Sequence, residues 1–189
     1  MTDPNVLPAG LPRPPADGAC DHLEGLSLPR LSLPSTAGRE VDLGALPRGR
    51  TVIYCYPMTG VPGQPLPAGW DEIPGARGCT PQSCSFRDHH RDLADLGAGV
   101  FGLSTQPTDY QREMAVRLHL PFEVLSDAGL RFATALRLPT FEVEGLCLIK
   151  RLTLVVRDQV IEHVFYPVFP PDGSAAEVVS WLRGAGRRS

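Results

Sequence analysis

The chain has 189 residues, with 18 basic and 21 acidic side chains and a formal net charge of −3. A content of 42% hydrophobic and 21% charged residues is close to the globular average and excludes a fully disordered chain or a coiled coil. The negative net charge argues against a broad basic surface that would bind nucleic acid or an anionic membrane. No apolar run in the sequence is long enough to span a membrane. The 20 prolines are about twice the usual number, so much of the chain must form loops.

The chain begins with a proline-rich arm, predicted for residues 1–25, and continues into one predicted domain over residues 26–189. Alternating apolar and polar residues predict a short edge strand at 26–33, and a second short strand is predicted at 40–46. The β-branched and aromatic residues at 51–56 predict a buried central strand.

A loop rich in proline and glycine follows, from Pro57 to Gly78. A loop of this length inside a compact domain usually has a function. Regular periodicity returns after it, with Pro81 in the first turn of a predicted helix and Thr108 as the expected N-cap of the next one. The predicted helices lie at residues 80–96, 108–118, 127–136 and 174–182. The predicted strands lie at residues 99–104, 122–125, 152–156 and 160–165.

The order of these elements, β-α-β-α-β-α-β-β-α, predicts the fold class. Strands that are joined through helices should be parallel, whereas the last two strands, separated by a short turn at Asp158 and Gln159, should form an antiparallel hairpin. We therefore predict an α/β domain with a mixed central β-sheet and helices on both faces.

Two cysteines lie where the long loop meets the next helix, in the run Gly-Cys-Thr-Pro-Gln-Ser-Cys-Ser-Phe-Arg-Asp at residues 78–88. Cys79 is at the predicted helix start, where free backbone N–H groups and the positive end of the helix dipole favour the nucleophilic thiolate. In an ideal helix the Cα atom of Cys84 lies about 8.6 Å from that of Cys79, beyond the roughly 7 Å that a disulfide can span. Either the two thiols are unrelated, or the first helical turns unwind during a redox cycle.

This run resembles the active-site helix of the peroxiredoxins, and most closely that of the Q type, also called bacterioferritin comigratory protein. The strand that ends in Tyr-Cys-Tyr-Pro at residues 54–57 and the late strand pair that begins at Lys150 and Arg151 resemble the corresponding parts of that family, in the same order. The resemblance covers residues 26–184 and implies a thioredoxin-like fold.

The resemblance also implies a thiol-dependent peroxidase that reduces hydrogen peroxide and organic hydroperoxides. Cys79 would be the peroxidatic cysteine, and its sulfenic acid would condense with Cys84 into an intramolecular disulfide. Arg151 occupies the place of the family arginine that pairs with the peroxidatic thiolate. Catalysis of this kind needs no metal and no organic cofactor.

The expected partners follow from the same resemblance. Thioredoxin or a similar dithiol would reduce the disulfide by exchange. Neither nucleic acid nor a membrane is expected as a partner, and a monomer is favoured because Q-type relatives are often monomeric. Because residues 1–9 show no basic region followed by an apolar stretch, we expect no secretory signal and a cytoplasmic protein.

The loop before the active-site helix departs from the family pattern. The family has a proline and a threonine or serine at positions that are Glu72 and Ala76 in this chain. The loop is also longer than usual, with an insertion at residues 58–74 that contains Trp70. Trp70 could either pack the insertion against the domain or line the pocket, and the sequence leaves both roles open.

Two residues near the start of the loop are candidates for binding the substrate. We expect Pro57 to serve as the loop proline, and Thr59 or another group of the insertion to supply the hydroxyl that orients the peroxide. The other cysteines are expected to play no part in catalysis: Cys55 lies in the predicted central strand, Cys147 in an apolar run and Cys20 in the arm.

Two alternative functions are open. One is a peroxiredoxin-like redox sensor or holdase with little peroxidase turnover, and the distinguishing feature is whether any hydroxyl reaches Cys79. The other is a metal-binding module that uses Cys79, Cys84, His89 and His90. Against it, the cysteine spacing is looser than in zinc knuckles, and two adjacent histidines point to different faces of a helix.

Overall fold

A computed structural model describes residues 6–185, so the first five residues of the predicted arm and the last four of the predicted domain lie outside the described residues. The strands are β1 (Ser32–Pro34), β2 (Glu40–Asp42), β3 (Arg50–Cys55), β4 (Ala98–Ser104), β5 (Val124–Ser126), β6 (Thr140–Val143), β7 (Leu146–Ile149), β8 (Leu152–Arg157) and β9 (Val160–Phe165). The helices are α1 (Cys79–Asp88), α2 (His90–Asp95), α3 (Thr108–Arg117), α4 (Arg131–Leu136) and α5 (Ser174–Ala185).

A five-stranded sheet with the strand order β5-β4-β3-β8-β9 organises the fold. β3 is parallel to β4 and antiparallel to β8, and β8 and β9 form the predicted antiparallel hairpin. In this register Cys55, at the end of β3, lies opposite Leu152, at the start of β8. The loop that follows β3 and the residue that precedes β8 therefore meet at one edge of the sheet.

Both faces of the sheet are covered, which confirms the predicted mixed α/β architecture. Val52 and Tyr54 of β3 pack with residues of α1, α2, α3 and α5, and the Tyr54 ring stacks on Phe86 of α1 at a centroid distance of 4.3 Å. Ile53 and Cys55 point to the opposite face and pack with residues of α4 and the arm. β3 is buried from its second residue onward, as expected for a central strand covered on both sides.

Three details of the predicted helices are wrong. The single helix expected at 80–96 is two helices, α1 and α2, which are separated at His89, where the backbone has φ −98° and ψ 7°. Pro107, with an extended ψ of 150°, is the N-cap of α3, so Thr108 is already helical. α4 begins later than expected, at Arg131, because the Asp127 carboxylate accepts hydrogen bonds from backbone N–H groups of α4 across the intervening turn.

The strand predictions need two further corrections. β1 occupies only the end of the strand expected at 26–33. Residues 43–45, expected to belong to the second strand, form a 3₁₀ turn because the Asp42 carboxylate accepts a hydrogen bond from the N–H of Gly44 at 2.8 Å. The antiparallel hairpin of β6 and β7 was not predicted at all. Its two-residue turn has positive φ angles of 48° and 78°, the geometry that suits a tight hairpin.

The described part of the arm packs on the domain, although it has no regular secondary structure. Cys20 and Leu23 belong to the hydrophobic core. Asp17 forms an ion pair with Lys150 at 3.2 Å, and the Arg13 guanidinium lies over the Phe169 ring at 5.2 Å. Within the described residues, no helix has the length and apolar character needed to cross a membrane.

Candidate active site

Cys79 is the first residue of α1, and the backbone before it is fixed by a glycine. Gly78 is the N-cap with a φ of 102°, in the left-handed region. A Cβ atom at this position would lie 2.3 Å from Cγ of Pro171 and 2.8 Å from Cδ2 of Leu7, so a larger residue does not fit. Cys79 itself is only 3% exposed at the helix N-terminus.

The Cys79 sulfur has two polar neighbours. Sγ donates to the carbonyl oxygen of Ala76 at 3.4 Å, and Nη2 of Arg151 donates to Sγ at 3.2 Å. Arg151 is buried, with 3% of its surface exposed, so little water screens its charge. A buried guanidinium beside the sulfur is placed to stabilise the negative charge that develops on a bound peroxide.

Arg151 is held by groups on two elements. Nη2 is also within hydrogen-bond distance of the carbonyl oxygens of residues 75, 76 and 77, at 3.2, 3.2 and 3.0 Å, and its two N–H bonds are shared among these acceptors and the sulfur. Nη1 donates to Oε1 of Gln82, one turn into α1. Gln82 is fully buried, and its Nε2 donates to Oγ of Ser174 at 3.4 Å, so α1, α5 and the residue before β8 are joined around the thiol.

Sequence reasoning did not identify Gln82 as part of this site. The available signal was its spacing, because a residue three positions after Cys79 lies on the same face of a helix. A lone glutamine in a helix carries no motif, so only the contact with Arg151 reveals its role.

Cys84 lies on the same helix as Cys79 and is half-buried. Because α1 is intact over both cysteines, the expected separation of the two thiols is present, and all five cysteines, each within the described residues, are free. Burial raises the pKa of the Cys84 thiol, although the nearby charge of Arg87 partly opposes this effect. Cys84 therefore stays protonated near neutral pH while the helix is folded.

The two candidate substrate-binding residues lie differently with respect to Cys79. Thr59 is buried, and its Oγ1 donates to Oε1 of Gln106 at 3.2 Å. Thr59 and Cys79 line the same small cavity, and a hydroxyl that already donates can still accept a hydrogen bond from a peroxide. Pro57 is buried two residues after the end of β3 and is not among the residues that line this cavity, so its role stays a prediction.

The cavity at Cys79 has a volume of about 10 Å³, room for roughly one water molecule. Trp70 both lines the cavity and packs the insertion down, because its ring lies 6.2 Å from the Phe141 ring of the β6–β7 hairpin. Arg77 adds a second buried cation at the cavity and pairs with Asp71 at 3.4 Å. The lining consists of Met58, Thr59, Gly60, Leu66, Trp70, Arg77, Gly78, Cys79 and Thr80.

The remaining cysteines are less suited than Cys79 to act as nucleophiles, and the metal-binding alternative is not supported by the geometry. Burial raises the pKa of Cys20 to about 12 and also raises the pKa of Cys55, so both thiols stay protonated at neutral pH. Cys147 is half-buried in β7. Between residues 6 and 185, no group of three or more His, Cys, Asp or Glu side chains is placed to hold a metal ion, so that alternative lacks its ligand set.

Comparison with known proteins gives consistent matches. The Redoxin family model matches residues 23–180. Peroxiredoxin Q of Oryza sativa subsp. japonica, a chloroplastic protein, is 26% identical over 160 residues, which cover 85% of this chain and 66% of the relative. Chloroplastic peroxiredoxin Q of Gentiana triflora is 25% identical over 183 residues, which cover 94% of this chain and 77% of the relative. The chain thus spans about two thirds of the length of the rice relative.

Solved structures match over most of this chain. Peroxidoxin BcpB from Mycobacterium tuberculosis has a TM-score of 0.71 and 26% identity, and the match covers 86% of this chain and 98% of that one. Peroxiredoxin Q from Xanthomonas campestris has a TM-score of 0.69 and 20% identity, and the match covers 86% of this chain and 96% of that one. Because its identity is only 20%, the second match supports the fold alone.

Proposed function

The chain belongs to the Redoxin family as a peroxiredoxin of the Q type, and we propose that it reduces hydrogen peroxide and organic hydroperoxides through Cys79. The observation that carries this proposal is the contact of 3.2 Å between Nη2 of Arg151 and Sγ of Cys79 at the start of α1. A cation beside the sulfur and the N-terminus of a helix are two features that stabilise a thiolate nucleophile.

In the first step, the Cys79 thiolate attacks the terminal oxygen of the peroxide. An S–O bond forms as the O–O bond breaks, and the leaving alkoxide or hydroxide takes a proton to become an alcohol or water. The sulfur is oxidised by two electrons to a sulfenic acid, and the peroxide is reduced. Arg151 stabilises the thiolate and the charge that moves onto the leaving oxygen, and Thr59 and Pro57 are the proposed groups that position the peroxide.

In the second step, Cys84 resolves the sulfenic acid. The first turns of α1 unwind, the Cys84 thiolate attacks the Cys79 sulfur, and hydroxide leaves and is protonated to water as the disulfide forms. Unwinding also exposes Cys84, which removes the burial that holds its thiol protonated. Both cysteines belong to one helix, so this step needs no second subunit, in keeping with a monomer.

Thioredoxin or a similar dithiol is the proposed reductant. Its thiolate attacks the Cys79–Cys84 disulfide, and exchange returns two thiols while the reductant becomes a disulfide. Five free cysteines suit a compartment that keeps thiols reduced, which supports a cytoplasmic location.

A second candidate function is a redox sensor or holdase with the same cysteines and little turnover. It is favoured by one observation: the Thr59 hydroxyl donates to Gln106, and Ala76 has no hydroxyl in the family position. A sensor would form the disulfide once and would not be recycled efficiently.

The test is peroxide-dependent NADPH oxidation in the presence of thioredoxin and thioredoxin reductase, with hydrogen peroxide and cumene hydroperoxide as substrates. We expect turnover by the wild type, none by Cys79→Ser, and unchanged turnover by the matched control Cys147→Ser. Wild-type turnover no higher than that of Cys79→Ser would reject the enzyme. Stoichiometric disulfide formation without turnover would then indicate the sensor.

A further inference from the structure

The insertion at residues 58–74 builds a second, larger cavity outside the one at Cys79. This outer cavity has a volume of about 690 Å³ and is lined by residues 63–67 and 69–72. Leu66 and Trp70 line both cavities. They are therefore the side chains that separate the outer cavity from the reacting sulfur.

Trp70 is held firmly in this wall. It is 3% exposed and forms a hydrophobic cluster with Ala76 and Leu148, and Phe141 packs against this cluster. Leu66 also packs on the cluster but is only half-buried. Leu66 is thus the less restrained of the two separating side chains.

The inner cavity is narrow. Its volume of about 10 Å³ accommodates roughly one water molecule, so it has no room for an organic substituent beside the sulfur. The substituent of an organic hydroperoxide must therefore lie outside the inner cavity, on the other side of Leu66 and Trp70. Because Leu66 is less restrained than Trp70, it is the side chain that can move aside for the substituent.

We propose that Leu66 and Trp70 form the entrance to the Cys79 pocket and determine which hydroperoxides react. This inference rests on the proposed peroxidase function. The –OOH group passes the entrance to the sulfur, and the outer cavity holds the organic substituent. The substrate class is a bulky hydroperoxide with an uncharged substituent, because Pro65, Leu66 and Trp70 offer apolar contacts.

The charges at the outer cavity favour a neutral substituent over a carboxylate. Asp71 and Glu72 both line it. Asp71 is paired with Arg77 at 3.4 Å, whereas Glu72 is exposed to solvent and carries its negative charge at the cavity. A hydroperoxide that bears a carboxylate would meet this charge and be repelled.

The entrance is tested by the second-order rate of Cys79 oxidation in pre-reduced protein, without thioredoxin, with cumene hydroperoxide and with hydrogen peroxide. We expect Leu66→Trp to lower the cumene hydroperoxide rate by about tenfold or more and the hydrogen peroxide rate by less than about threefold. Leu66→Ala should raise the ratio of the cumene hydroperoxide rate to the hydrogen peroxide rate. Equal changes for both peroxides in Leu66→Trp would overturn the proposal.

Phe141→Leu is the matched control, because Phe141 contacts Trp70 from the hairpin and lines neither cavity. It should leave the rate ratio unchanged, and a ratio altered as much as in Leu66→Trp would assign the effect to loosened packing. Glu72→Gln should speed the reaction of linoleic acid hydroperoxide several-fold relative to cumene hydroperoxide, and no change would reject the charge preference. If wild type reacts with neither peroxide, the proposed function itself fails.

Discussion

Among single residues, Arg151 has the largest share of the contacts that define the site. Its Nη2 reaches Cys79 Sγ and three consecutive carbonyl oxygens, while Nη1 reaches Gln82. A planar guanidinium can serve these acceptors together, whereas a lysine ammonium is a single point charge on a flexible stem. The geometry of the site therefore depends on the arginine fork as well as on its charge.

We expect Arg151→Lys to lower kcat/KM for hydrogen peroxide by about 10²–10³-fold, the cost of losing a preorganised donor at a developing charge. The measurement is peroxide consumption by the variant and by Arg131→Lys, whose side chain lies at the surface near β1. Wild-type kinetics in Arg151→Lys would show that charge alone is sufficient.

Cys84 gives the resolving step a dependence on pH. Burial raises its pKa in the folded helix, so the folded state favours the neutral thiol. The stability that this contributes is present below the pKa of the unfolded thiol and is lost as the pH rises through the raised folded value. Alkaline pH therefore promotes both the thiolate and the unwinding that resolution needs.

We accordingly expect the rate of disulfide formation to rise with pH by up to about tenfold per unit while Cys84 is mostly protonated. The measurement is the slow phase of a single-turnover reaction, followed from about pH 6 to about pH 9. Cys84→Ser should lack this phase. A rate that does not change over this range would contradict the account.

At the level of elements, the arm and α1 are in direct contact. Leu7 and Pro171 both pack against Gly78, and the Val6 carbonyl accepts from the Arg77 side chain at 3.4 Å. These contacts lie on the segment that must move when the start of α1 unwinds. We therefore propose that the arm, although separate from the domain in the sequence pattern, stabilises the folded form of the active-site helix.

Leu7→Asp is expected to accelerate Cys79–Cys84 disulfide formation about fivefold, because losing about 1 kcal/mol of apolar contact raises the unwound population by that factor. The single-turnover phase described for Cys84 measures it. Val6→Asp is the control, since the Val6 side chain is 58% exposed. Equal rates in wild type and Leu7→Asp would show that the arm does not restrain the helix.

The elements also show what periodicity can predict. The apolar composition of β3 predicted a buried strand, and the short turn between β8 and β9 predicted their hairpin, because both signals are local in the sequence. The β6–β7 hairpin was missed because each strand has four residues, too few for a clear alternation. The break between α1 and α2 at His89 has no glycine or proline to mark it.

On the scale of the whole molecule, the fold brings together residues that are far apart in the chain. Cys79 and Arg151 are separated by 72 positions and meet because β3 and β8 are paired with their ends in register. Sequence patterns placed Cys79 at a helix start, but its partner was expected only from family resemblance. The Thr59–Gln106 contact was not predictable, because it joins two loops through tertiary packing.

The family comparison confirms the predicted peroxiredoxin class and its thioredoxin-like fold. The roles of individual residues within that class rest on the site geometry. The longer loop, which the family pattern does not describe, contributes Leu66 and Trp70 to the lining of the Cys79 cavity. Its prolines Pro65 and Pro67 line the outer cavity, and none of the described residues that line the Cys79 cavity is a proline.

The most direct test of the central claim is peptide mapping of pre-reduced protein after one equivalent of hydrogen peroxide. The account predicts a disulfide between Cys79 and Cys84, and a sulfenic acid at Cys79 in Cys84→Ser. A disulfide from Cys79 to Cys20, Cys55 or Cys147, or a Cys79 thiol left unmodified, would contradict it.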